Sequence, residues 1–98
     1  MKIHLEATVT VSHTEVLDKE QLIRVATHQQ QMYGIWPDDM NELLEGYYRA
    51  CEFGDPLPGS HNRFWDKAEE TVEAILENWD GEIGELPDGL EIRDISGD

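Results

Sequence analysis

Ninety-eight residues, 39% of them apolar, make one domain's worth of chain with enough material for a core. Seven bases against 22 acids leave a net charge of −15, which repels nucleic acid and anionic membrane and attracts basic surfaces. No apolar run reaches the roughly 18 residues that a membrane span needs, and a single cysteine, Cys51, excludes a disulfide within the chain.

Residues 3–12 alternate. Ile3, Leu5, Ala7, Val9 and Val11 point one way, and His4, Glu6, Thr8, Thr10 and Ser12 the other, which predicts a half-buried strand. A helix follows. Asp18 is its N-cap, Gln21 completes a capping-box spacing, and Leu17 and Leu22 stand as a hydrophobic staple. Leu22, Val25, Ala26, Gln29, Met32 and Tyr33 trace one helical face, and Gly34 is the stop. Ile35-Trp36-Pro37 opens a second helix, with proline in the first turn and Asp38 and Asp39 at the positive end of the dipole. Met40, Leu43, Leu44, Tyr47 and Cys51 make its stripe, and Gly54 ends it. Gly46 inside this helix weakens it by about 1 kcal/mol relative to alanine and marks a close helix contact.

Asp55-Pro56-Leu57-Pro58-Gly59 reads as a rigid loop. Ser60 or Asn62 then caps a third helix running to about Asp80, with Phe64, Ala68, Val72, Ile75, Leu76 and Trp79 as its buried stripe and Gly81 as its stop. In the tail, Leu90 and Ile92 alternate with Glu91 and Arg93, and the Pro87-Asp88-Gly89 turn joins them to Glu82–Leu86 as a hairpin, or leaves them a single strand. The expected class is α+β: a single small domain over residues 1–98 in the order β-α-α-α-β-β, with three helices on one face of a small antiparallel or mixed sheet.

The charge is unevenly spread. Residues 1–37 hold three bases and four acids, while residues 38–98 hold four bases and 18 acids. The densest group is on the third helix, where Asp66, Glu69, Glu70, Glu73, Glu77 and Asp80 fall opposite the apolar stripe. Steps of three and four residues stack these carboxylates about 5–6 Å apart, at a cost of a few tenths of a kcal/mol per like pair. That repeat is close to the spacing of phosphates along a nucleic-acid strand. For this helix considered alone, a solvated face is the stronger reading. The sum is harder to dismiss, because the second helix adds Asp38, Asp39, Glu42, Glu45 and Glu52, and solubility alone asks for a net charge of only about 2–8 in magnitude.

Other chemistries find no motif. The spacing of Asn78, Asp80 and Gly81 fits part of a calcium loop, but its first and twelfth positions are Leu76 and Pro87, which supply no side-chain oxygen. His4, His13, His28 and His61 show no metal-ligand spacing and are expected exposed and unliganded. Cys51 sits at core spacing in a helix and reads as a structural thiol. Asp38 and Asp39 read as helix-start residues rather than an acid–base pair. No catalytic residue, metal or cofactor is assigned.

Among the aromatics, Trp65 and Tyr48 lie one step off the apolar stripes and Trp36 lies in a loop, so each suits either the edge of the core or a partner's surface. In size and charge the chain is similar to small phage-encoded inhibitors of host defence, including anti-CRISPR and anti-restriction proteins that imitate DNA. That likeness is one of composition and carries no residue assignments. The expected function is therefore non-enzymatic: a cytoplasmic acidic protein that docks on a basic nucleic-acid-binding partner and blocks it, binding neither nucleic acid nor membrane itself. The alternative is a self-associating structural or regulatory module, a homodimer paired through an edge-lying first strand or through Trp36 and Tyr48, with the acidic face merely solvated.

Overall fold

The computed structural model describes residues 3–9 and 13–97. In chain order the elements are β1 (Ile3–Val9), β2 (His13–Leu17), α1 (Lys19–Tyr33), α2 (Met40–Phe53), α3 (Trp65–Asn78) and β3 (Leu90–Gly97). The class is α+β, with three helices and a three-stranded antiparallel sheet in the order β2-β1-β3.

Alternation builds the sheet. Ile3, Leu5, Ala7 and Val9 of β1 are buried, while His4 on the opposite face is exposed. On β2, Leu17 pairs with Leu5 and is fully buried, and Thr14 pairs with Thr8, their hydroxyls 3.1 Å apart. On β3, Leu90 pairs with Val9 and Ile92 with Ala7, and the register shifts once, between Leu5 and Glu6. This differs from expectation in two places. The tail is a single strand, the second of its two alternatives, and Glu82–Leu86 is irregular backbone, so the order β-α-α-α-β-β gives way to one in which the third strand comes from His13–Leu17. The backbone of the expected strand is held by a side chain instead: the Gly84 N–H donates to Asn41 Oδ1 at 3.0 Å and the Glu85 carbonyl accepts from Asn41 Nδ2 at 3.1 Å. Leu17 also serves as a strand residue in the core as well as preceding the helix cap. The second difference concerns β1, which is the central strand and not an edge. Both sides of its backbone are paired, so it cannot receive a second copy. The expected strand residues Thr10, Val11 and Ser12 lie outside the described residues.

Helix ends follow local chemistry. The Asp18 carboxylate accepts from the Gln21 backbone N–H at 2.9 Å, and Gly34 closes α1 in the left-handed region with φ of 70°. The Gln21 side chain does not return to the cap. It donates to Glu15 Oε1 at 3.2 Å. The second helix starts later than Pro37 suggested. Asp39 is its N-cap and accepts from the Glu42 N–H at 2.9 Å, while Glu42 Oε2 accepts from the Asp38 N–H at 2.6 Å. Two carboxylates that accept from backbone N–H groups at Glu42 and Asp38 outweigh the tolerance of proline at a first turn. Asp39→Ala is expected to destabilise the domain by about 1 kcal/mol. Thermal unfolding checks this, and an unchanged midpoint would show that the cap contributes nothing. The third helix has Phe64 at its N-cap position with no side-chain cap. Neither Ser60 nor Asn62 occupies that position; Asn62 Oδ1 instead accepts from the Phe64 N–H at 2.8 Å. The helix ends at Asn78 with Trp79 as C-cap, earlier than Asp80 and Gly81.

Helix α1 packs against both α2 and α3. Its buried residues include Leu22, Ile23, Val25 and Ala26, joined by Leu43, Leu44 and Tyr47 from α2 and by Ala68, Val72, Ile75 and Leu76 from α3. Met32 and Tyr33, expected in the stripe of α1, are exposed; the Tyr33 ring meets the Arg49 guanidinium of α2 at the surface rather than entering the core. Gly46 marks the close approach of α1 and α2. A Cβ there would lie 2.4 Å from Gln29 Cδ, and the Gln29 amide donates across the contact to the Glu42 carbonyl at 3.0 Å.

Candidate functional site

The apolar stripe of α3 turns inward, which leaves Asp66, Glu70, Glu73 and Glu77 exposed on its far side and Glu69 half-buried. Asp80 is exposed just beyond the helix end and accepts from the Glu82 N–H at 2.9 Å. The last turn of α3 carries Glu77 and no base. Acids there oppose the negative end of the helix dipole, at a cost of about 0.3–1 kcal/mol each near the surface.

Two clefts flank this ridge. The first, of about 450 Å³, lies between α3 and the start of α1 and is lined by Lys19, Glu70, Glu73, Ala74, Leu76 and Glu77. Lys19 Nζ sits 3.1 Å from Glu73 Oε2, so one carboxylate of the ladder has a cation of its own. The pair is exposed and contributes little to stability. The second cleft, of about 350 Å³, lies on the other side of Ala74, and Asp38, Asp39, Asn78, Trp79 and Asp80 are among its walls. The fold thus gathers Asp38 and Asp39, from the start of α2, beside Asp80 at the end of α3. A tract of carboxylates runs from Glu70 across the α3 ridge to Asp39.

Other residues expected at the site stand apart from these clefts. Glu42 is exposed and held by the Asp38 N–H, and Glu45 is half-buried farther along α2. Tyr48 is half-buried against the core and donates to the Asp88 carbonyl at 2.9 Å, tying α2 to the turn before β3. Trp65 is likewise half-buried against the core. Trp36 packs edge-on to Phe64, ring centres 6.1 Å apart.

Two polar groupings carried no clear signal in the sequence. Glu15 projects from the inner face of the edge strand β2, where it accepts from the Tyr47 hydroxyl at 3.0 Å as well as from Gln21. Burial first, then the Cys51 thiol and the Glu15 carboxylate, push the Tyr47 phenol far above its ordinary range. Burial also pushes the Cys51 thiol up, with Glu15 adding to the rise and the Tyr47 hydroxyl opposing it. A thiol held in its protonated form is a poor nucleophile. The second grouping corrects an expectation. His28 is buried at 3% exposure rather than exposed, with Nε2 3.4 Å from Asp55 Oδ2. The loop after α2 folds back over α1 and covers the ring, which no local pattern announces. His4 and His61 are exposed. Among the described residues, no group of three or more His, Cys, Asp or Glu is placed to hold a metal ion, and no helix is long and apolar enough to cross a membrane.

Comparison with protein-family models, with curated protein sequences and with solved structures yields no significant match.

Proposed function

We propose that this chain is a non-enzymatic acidic binding protein that docks on a basic, nucleic-acid-binding surface and blocks it, as an inhibitor that stands in for the nucleic acid. The observation that carries this reading is the gathered tract of Glu70, Glu73, Glu77, Asp80, Asp38 and Asp39 around two clefts. Its carboxylates repeat along α3 at about 5–6 Å. Each cleft has room for lysine or arginine side chains reaching in from a partner. Glu77 sits where the helix dipole disfavours it, and a solubility role alone gives no reason for that placement.

Long-range attraction between this tract and a basic surface speeds association and weakens steeply as salt rises. The test is capture of partners from a lysate of cells that carry the protein, at low salt with stepwise salt elution, followed by affinity measurement. A basic nucleic-acid-binding protein is expected to elute at intermediate salt and to be displaced by added DNA. Glu70, Glu73 and Glu77 changed together to glutamine should weaken binding about tenfold, at roughly 0.5 kcal/mol per charge, with the domain as stable as before or slightly more so. Binding at physiological salt that survives this triple change unaltered would remove the tract as the site.

A further inference from the structure

Five large apolar side chains are exposed among the described residues: Val16, Met32, Tyr33, Ile35 and Phe53. Four of them, Met32, Tyr33, Ile35 and Phe53, lie at or just beyond the C-terminal ends of α1 and α2. The contacts of Tyr33, together with helical spacing, place three of these near one another. The Arg49 guanidinium lies 5.8 Å from the centre of the Tyr33 ring, and Phe53 follows Arg49 by one helical turn on the same face of α2. The Tyr33 ring meets the buried His28 ring edge-on at 6.4 Å. Met32 follows His28 by one turn on α1, and His28 pairs with Asp55, two residues beyond Phe53. Phe53 is the most exposed of the five, at 67%.

We infer that the surface formed by Met32, Tyr33, Arg49 and Phe53 is a two-fold contact between two copies of this chain. The charges around it identify the occupant. Arg49 is followed three residues later by Glu52, also exposed. A basic partner would meet Arg49 with like charge, and an acidic partner would meet Glu52 and Asp55 with like charge. A surface carrying both signs in reverse order satisfies both, and a second copy supplies it. With the two-fold axis between antiparallel α2 helices, midway between Arg49 and Glu52, each Arg49 faces the second copy's Glu52 and each Phe53 lies over the second copy's α2. The apolar area of a few side chains is small beside the roughly 800 Å² per partner of a standard interface, so the dimer is weak. Two bodies of charge −15 repel, and salt screens that repulsion. The dimer therefore tightens as salt rises, opposite to binding through the acidic tract, which it leaves free.

Sedimentation equilibrium tests this, at loadings from about 10 μM to about 1 mM and at salt near 50 mM and near 500 mM. The expected result is a monomer–dimer equilibrium that tightens at the higher salt. Phe53→Ser should weaken it about tenfold with helix content unchanged. Arg49→Glu should weaken it similarly, and Arg49→Glu combined with Glu52→Arg should restore it. A monomer at every loading and both salts would overturn the inference. So would a dimer that loosens as salt rises, or one that Phe53→Ser and Arg49→Glu leave unchanged; the latter would place the contact elsewhere, as at the free edge of β3.

Discussion

Gly46→Ala is expected to destabilise the domain by about 2 kcal/mol, although the same change in an exposed helix adds about 1 kcal/mol of stability. The reversal comes from packing. The new methyl would lie 2.4 Å from both Gln29 Cδ and Nε2, closer than any real contact. Gln29 is 3% exposed and has little room to move. Displacing it breaks the 3.0 Å bond to the Glu42 carbonyl and leaves a buried amide without its acceptor. Overpacking costs about 1–3 kcal/mol and an orphaned buried polar group about as much again, which together exceed the gain in helix propensity. For a domain this small, the midpoint of thermal unfolding should fall by about 8–16 °C. Gln29→Ala combined with Gly46→Ala should recover part of the loss, because the methyl then occupies vacated space. Losses that simply add would mean that the two side chains do not compete for one volume.

Tyr47→Phe should cost about 2 kcal/mol at neutral pH and flatten the loss of stability in alkali. The ring is 1% exposed and its hydroxyl donates to a carboxylate, a bond of the charge-assisted kind worth about 1.5–3 kcal/mol. The alkaline behaviour follows from the raised phenol. Below about pH 10 the phenol is protonated in both folded and unfolded chains, and its contribution is fully present. Above that pH the unfolded chain loses the proton while the folded one keeps it, so stability falls as pH rises, by up to about 1.4 kcal/mol per pH unit. The raised Cys51 thiol acts in the same direction from a somewhat lower pH. Denaturant unfolding between pH 7 and 11 should therefore show a shallower alkaline slope in Tyr47→Phe than in the parent. Equal slopes would mean that the phenol ionises alike in both states.

Both effects depend on contacts between segments far apart in the chain, and so does the candidate site. The carboxylate ladder on α3 was legible because a 3.6-residue period places Asp66, Glu70, Glu73 and Glu77 opposite Ala68, Val72, Ile75 and Leu76. Nothing local shows that Asp38 and Asp39 stand beside Asp80, or that Lys19 reaches Glu73 from another helix. The placement of the aromatics was set by the same kind of contact. Trp36 and Tyr48 became edges of the core, and Met32 and Tyr33, which the helical period had turned inward, were left in solvent.

The sequence by itself determined whatever is decided within one or two turns of backbone: β1 by its alternation, the caps at Asp18 and Gly34, the end of α2 at Gly54, three amphipathic helices and the close approach at Gly46. These depend on dihedral preference, local hydrogen bonding and the burial of one face, all encoded by neighbours. Only the tertiary structure decided that β1 lies between two strands, that His13–Leu17 and not Glu82–Leu86 completes the sheet, that Glu15 points inward to Tyr47, and that His28 is covered by the Asp55 loop. Each of these is a choice among alternatives with similar local energies. The choice is made by which arrangement buries Leu5, Leu17 and Tyr47 together while giving the Tyr47 hydroxyl a carboxylate partner.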